Sequence, residues 1–295
     1  AMKPLSRHSL RASLLAPLLA SIASLAPRPS SGAPRVFPGA GSVPLSERLR
    51  SRDAAALSKT AFNFAPPEAI FPSWLAGEWH ASLSFDGYEL PVKDLVSREA
   101  LFAEPTVPGF QKCSIAFLPD VGREGVAFPM RWAEDAAGAV REDRAANLRA
   151  AIRGGLGYDA VERVEYKEDP MIPNPFGVNP NRLAIVFASG LTLNAERIEL
   201  FVNSRETQEV SSDLFLMSES VRQVTFSASR TSVARQVSGE YAHYFTFKRL
   251  ADGSVTGNIL TAAYADPLQQ ERFFIKVGPR PLIIFSHRLR LQRSS

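Results

Sequence analysis

From Gly77 onward the chain alternates. Trp79, Ala81, Leu83 and Phe85 share one parity, and His80, Ser82, Ser84 and Asp86 share the other. A period of two marks a strand with one face buried and one face in water. Similar runs predict strands over 78–85, 112–118, 125–132, 158–168, 182–188, 191–203, 213–228, 240–250, 254–265, 272–277 and 282–292. Turn residues separate several of them. Asp86-Gly87, the stretch 119–122 and Ala251-Asp252-Gly253 supply the backbone freedom that tight reversals need. The spacing predicts one helix, over 141–153. There Ala145, Leu148 and Ile152 recur at helical intervals, and Gly154-Gly155 offers a stop.

Ten or eleven strands, one short helix and mostly short turns predict a mainly β fold. The expected architecture is an antiparallel barrel of about ten strands, with a sandwich as the alternative. A barrel would pair the first strand with the last and so remove exposed edges. Pro66, Pro67 and Pro72 mark an extended entry, and the folded domain is expected over 64–295, its first element near Phe71. Residues 169–181, with four prolines and Gly177, read as one long loop.

The chain before residue 64 has a different character. A basic stretch from Met2 to Arg11 precedes an apolar run, Ser13 to Ala26, too short for a membrane span and broken by Pro17. Ser-, Gly- and Arg-rich sequence without an acid follows as far as Glu47. Residues 1–63 therefore read as a targeting presequence without a fixed fold, in which 46–63 could form a short helix on Leu49 and Leu57. This segment carries a net charge of +7, and the remainder carries −3. The basic balance of the whole chain thus belongs to the presequence, and no Lys/Arg cluster of the folded part supports nucleic-acid binding. No later run of about twenty apolar residues predicts a transmembrane helix. The single cysteine, Cys113, excludes an intrachain disulfide and a Cys-rich zinc site.

Two resemblances rest on particular residues. Gly77-Glu78-Trp79 at the front of the first strand resembles the start of lipocalin-like (calycin) barrels. That resemblance implies Gly77 and Trp79 as structural anchors at a closed end, covered by an arginine of the last strand, Arg288 or Arg290. The chain from about Phe71 to Arg293 also resembles an uncharacterised domain family of cyanobacteria and plastid-bearing eukaryotes. The carrying residues are Trp74-Leu75-Ala76-Gly77-Glu78-Trp79, Arg131-Trp132, Asp143-Arg144-Ala145-Ala146-Asn147, Glu199-Leu200-Phe201-Val202 and Thr261-Ala262-Ala263-Tyr264. It implies a plastid setting and no particular reaction. The signal-like and transit-like halves of the first sixty residues resemble the bipartite presequences of algae with secondary plastids. Stroma and thylakoid lumen stay open.

Candidate chemistry is sparse. Asp143 suits a helix N-terminus, and Arg144 and Asn147, three apart, share a helix face. With Arg131 they form either a polar patch for a ligand's head group or fasteners between helix and barrel rim. Tyr241, His243, Phe245 and Phe247 share a parity, as do Phe285 and His287, so both histidines are expected to face inward. A last-strand histidine in a small barrel resembles the haem ligand of nitrobindin-like proteins; the alternative is a pair of core histidines. No nucleophile elbow, phosphate loop, metal-binding His-Glu-x-x-His or paired carboxylates stand in the sequence.

Three readings follow. The first is a non-catalytic module binding a hydrophobic small molecule (pigment, lipid or tetrapyrrole) in an interior lined by Phe85, Tyr241, Phe245, Phe247 and Phe285, with His243, His287 and the polar residues Arg131, Asp143, Arg144 and Asn147 as further ligand contacts and no cofactor identified. The second is an enzyme resembling bilin lyases or xanthophyll-cycle enzymes, with Arg131, Asp143, Arg144 and Asn147 at its site. The third is an assembly or structural subunit of a photosynthetic complex, with a filled barrel and a functional exterior.

Overall fold

The structure is a computed structural model that describes residues 43–59, 67–110, 114–118, 125–167, 179–192, 195–227 and 236–294. The expected apolar presequence run, the turn at 119–122, Cys113 and most of the proline-rich loop lie outside them.

Ten strands form one antiparallel sheet, curled into a half-barrel. They are β1 (Gly77–Glu89), β2 (Val126–Glu134), β3 (Val140–Glu142), β4 (Val161–Tyr166), β5 (Arg182–Phe187), β6 (Arg197–Ser211), β7 (Leu214–Phe226), β8 (Gln236–Arg249), β9 (Val255–Tyr264) and β10 (Ile283–Arg293). Their order is β3-β2-β1-β10-β9-β8-β7-β6-β5-β4. The first long strand does pair with the last, over Trp79↔Arg293 to Glu89↔Ile284. The sheet nevertheless ends at β3 and β4, which do not pair with each other. The expectation of a closed barrel is corrected on this point. Edge strands of three and six residues are too short to complete the circle. The helix α3 (Arg144–Leu156), which joins them, packs on β2 and β4 instead. Gly154 lets that helix close on the sheet, because a Cβ there would stand 3.1 Å from the Ala127 carbonyl oxygen. The helix therefore runs past the Gly154-Gly155 pair and stops at Gly157, in the left-handed conformation.

Three further expectations change. Residues 272–277 form not a strand but part of a helix, α4 (Glu271–Val277). Phe273 and Val277, four apart, are its buried side. The described part of 112–118 is bent rather than extended. Its backbone bonds to one side chain: the Gln223 amide accepts from Ala116 N at 3.0 Å and donates to Ser114 O at 2.5 Å. The expected single helix is joined by α4, by α1 (Leu45–Ser51) and by α2 (Arg98–Phe102).

The largest correction concerns residues 43–59, assigned from composition to the presequence. They lie as a strap across the outer face of the sheet, where Leu45 and Leu57 are fully buried against Leu216, Ala242, Tyr244, Leu260, Ala262, Tyr264 and Ile284. The Tyr264 hydroxyl donates to Leu57 O at 2.8 Å, Lys59 N to Pro279 O at 2.9 Å, and Ser46 N to Gln208 Oε1 at 2.9 Å. Ion pairs Arg48–Glu206 and Lys59–Glu240 fasten the two sides. An antiparallel sheet with apolar residues on both faces must be covered twice, and the strap supplies the second cover.

Trp79 is fully buried and donates its indole N–H to Leu75 O at 2.7 Å. Its cover is Arg293, whose guanidinium carbon lies 4.2 Å from the ring centre. Neither Arg288 nor Arg290 takes that place. Inward positions on β10 are Phe285, His287, Leu289 and Leu291, so both arginines point outward, and Arg288 pairs with Asp86 at 2.9 Å. Arg293 is opposite Trp79 in the register and donates to Ala76 O and Trp74 O at 2.5 and 3.1 Å. Gly77 is explained by the same contact. Its φ is +114°, and a Cβ there would stand 2.5 Å from the Arg293 guanidinium.

Candidate functional site

A row of side chains crosses the inner face of the sheet. Thr261 pairs with His243, His243 with Glu219, and Glu219 with Arg205. The Glu219 carboxylate accepts from Arg205 Nε at 2.6 Å and from the Arg144 guanidinium, delivered by the first turn of α3. Arg144 Nε also stands 3.5 Å from Glu142 Oε2. Arg205 reaches further, to Asn181 Oδ1 at 3.3 Å and to the Pro67 carbonyl. Two guanidiniums and two carboxylates thus interlock where the sheet is open, joining β3, α3, β6 and β7.

Burial alone would raise the Glu219 carboxyl, but Arg144 and Arg205 outweigh it and hold the group at about 2. Glu142 moves the other way: burial raises it, against the opposing pull of Arg144. Burial pushes the Tyr166 phenol up to about 12. Beside this cluster is a small cleft of about 10 Å³, lined among others by Glu142, Arg144, Tyr166 and Arg205. That is the space of about one water molecule.

The four polar residues expected to form a head-group patch divide between roles. Asp143 caps α3, accepting from Ala146 N at 3.2 Å, and pairs with Arg131 on the surface, with Arg131 Nε 3.0 Å from its carboxylate. Asn147 is buried and bonded to the Arg131 backbone in both directions, accepting at 2.8 Å and donating at 3.2 Å. These three fasten helix to sheet. Arg144 turns into the charge cluster, where its partners are carboxylates of the protein itself, and Asn147 touches the same cluster by donating to Glu142 Oε1 at 3.3 Å.

Tyr241, His243, Phe245 and Phe247 line the interior together with Phe85 and His287. The inserted segment 114–118 sits among them. The Phe117 ring centre is 6.2 Å from that of Phe128, 6.0 Å from that of His243 and 5.9 Å from that of Phe245. Phe247 continues the contacts to Trp132, Phe71 and Phe215. Tyr241 donates to Gln223 Oε1 at 2.9 Å, and His243 Nδ1 lies 2.9 Å from Thr261 Oγ1. His287 packs against Phe85, and its buried Nδ1 has no hydrogen-bond partner among the described residues. Burial lowers His243 to about 3, against the pull of Glu219, and lowers His287 to about 4. Both imidazoles are neutral at pH 7. Among the described residues, no cluster of His, Cys, Asp or Glu could hold a metal ion.

Acid should therefore weaken the fold. Unfolded histidine binds a proton below about 6.5, while folded His243 and His287 refuse it until about 3 and 4. Stability is complete above pH 6.5 and falls as pH drops through that window. Glu219 adds a loss below 4.5, and Glu142, shifted upward, offsets part of it. Each pKa unit is worth about 1.4 kcal/mol, so urea titrations from pH 7 to 4 should show a fall of several kcal/mol. His243→Gln, which has no proton to take up, should show a shallower slope over the same range; an unchanged slope would remove His243 from the explanation.

Sequence reasoning missed Glu219, Arg205, Glu142 and Tyr166. Glu219 was accessible, because it occupies an inward position between Met217 and Val221. A charge at an apolar parity is a signal in itself. Arg205 lies beyond the expected end of its strand, since β6 continues through the polar residues Ser204–Ser211.

A family model, the domain of unknown function DUF6816, matches residues 63–295. The chain belongs to the DUF6816 family. No curated protein and no solved structure matches it. The DUF6816 region takes in the whole half-barrel, its charge cluster and its interior, while the strap at 43–59 precedes it.

Proposed function

We propose that this DUF6816 protein is a non-catalytic plastid protein that acts through its exterior, as an assembly or structural subunit of a photosynthetic complex. The observation that carries this reading is the occupation of the interior. Phe117 sits among the inward aromatics, and the residues that could have formed a catalytic patch are engaged as fasteners. The plastid setting is supported by the basic, Ser- and Gly-containing, acid-free composition of residues 1–42, before the strap. The experiment is affinity purification from native membranes in mild detergent. Recovery in fixed proportion with one photosynthetic complex is expected. Repeated recovery of the free protein would sink the reading.

One observation favours a second reading, a module for a hydrophobic small molecule. A buried His287 Nδ1 without a partner among the described residues costs free energy unless something bonds to it. A ligand with an apolar body and one polar group beside Phe85 would satisfy it. Solvent extraction of the natively purified protein, followed by mass spectrometry, decides between the two.

A further inference from the structure

The connection between β9 and β10 is unlike the rest of the surface. Its inner side is well built: Phe273, Val277 and Gln270 are buried, and Gln270 donates to Thr106 Oγ1 at 2.9 Å. Its outer side carries Leu268 and Ile275, exposed by 85% and 74%, the two most exposed large apolar side chains among the described residues. Phe274 lies between them in sequence and is partly exposed. From Ala265 to Leu282 the connection has three basic residues, Arg272, Lys276 and Arg280, and two acids, Glu271 and the buried Asp266. The segment around α2 joins the same end of the sheet through an ion pair of Arg272 with Glu104 at 3.2 Å. There Phe102 is also exposed, with the Arg98 guanidinium 4.9 Å from its ring centre.

We propose that this end of the sheet docks on a lipid bilayer bearing anionic headgroups, with Leu268, Phe274 and Ile275 entering the acyl boundary. Apolar side chains held outward on a short helix and the turn before it, interspersed with cations, are what an interfacial anchor requires. The alternative occupant, a folded protein, fits less well. A stable protein interface buries about 800 Å² per partner around a packed apolar centre. Here the apolar groups project singly between charges. Lipid headgroups accept that arrangement, since basic residues are drawn to an anionic surface within a Debye length. Among the described residues no helix is long and apolar enough to cross a membrane. Docking on lipid is independent of whether the chain also joins a protein complex.

The test uses the purified full chain and protein-free vesicles, so its outcome is separate from any co-purification result. Sedimentation with phosphatidylcholine vesicles is compared with vesicles that also contain phosphatidylglycerol. Binding to the mixed vesicles is expected, weakened by salt. The double variant Leu268→Ser/Ile275→Ser should bind at least about tenfold more weakly while melting at the wild-type temperature, because both side chains are already in water. Lys276→Gln/Arg280→Gln should lose the preference for the anionic lipid. Absence of binding to either vesicle, or equal binding by the wild type and the serine variant, would overturn the proposal. So would recovery of binding only when membrane proteins are present.

Discussion

Glu219→Ala should be among the most damaging single substitutions in the chain, with a loss of about 3–5 kcal/mol in urea or thermal unfolding. The reason lies in what remains. Arg144 and Arg205 both converge on the one carboxylate oxygen, and all three side chains are largely or fully withdrawn from water. Without the carboxylate, two guanidiniums face each other at the open side of the half-barrel, with Glu142 the one carboxylate still beside Arg144. Glu219→Gln keeps the shape and one acceptor but not the charge, and an intermediate loss of about 1.5–3 kcal/mol is expected. Replacing Arg144, Glu219 and Arg205 together by apolar residues of similar volume should recover much of the stability, because no buried charge is then left unpaired. A loss under about 1 kcal/mol for Glu219→Ala would show that the open side is not held by this cluster.

Truncation of the N-terminus should divide sharply at residue 43. A chain beginning at Val43 keeps the strap and is expected to unfold at the same urea concentration as the full chain. A chain beginning at Thr60 loses Leu45 and Leu57, both fully buried, with the Arg48–Glu206 and Lys59–Glu240 pairs. Removing one buried leucine side chain typically costs about 2–5 kcal/mol, so the pair approaches the whole stability of an ordinary domain. The truncated protein should aggregate or melt far below the longer one, and Leu45→Ala/Leu57→Ala should reproduce much of the effect without shortening the chain. Equal stability of the two truncations would mean that the strap is dispensable. The family match begins at residue 63, so a chain cut at that boundary would lack the strap.

The parts of the fold that could be read in the sequence are those governed by strict alternation. The run Trp79-Ala81-Leu83-Phe85 places β1 and its buried face, and the parity of Tyr241, His243, Phe245 and Phe247 places β8. The same parity, applied to β10, would have excluded Arg288 and Arg290 and pointed to Arg293. Alternation says nothing about partners. It could not show that β3 and β4 fail to meet, that α3 fills the gap, or that Gln223 holds the bent segment at Ser114 and Ala116. Composition misled in the strap. Residues 43–59 read as polar and basic because only Leu45 and Leu57 are fully buried, and two anchors in seventeen residues leave no periodic signal. At the site, the helix-start residues Asp143, Arg144 and Asn147 stood out in sequence, but their division between surface fastening and the buried cluster depends on β6 and β7, far along the chain.

The intact mass of the protein isolated natively from its own cells tests the central claim most directly. If the interior is core, and function lies outside it, native mass spectrometry of the polypeptide released from its protein partners should show no small-molecule adduct. A stoichiometric small-molecule adduct that is lost on unfolding, and is absent from the His287→Phe variant, would contradict that account and establish the interior as a binding site.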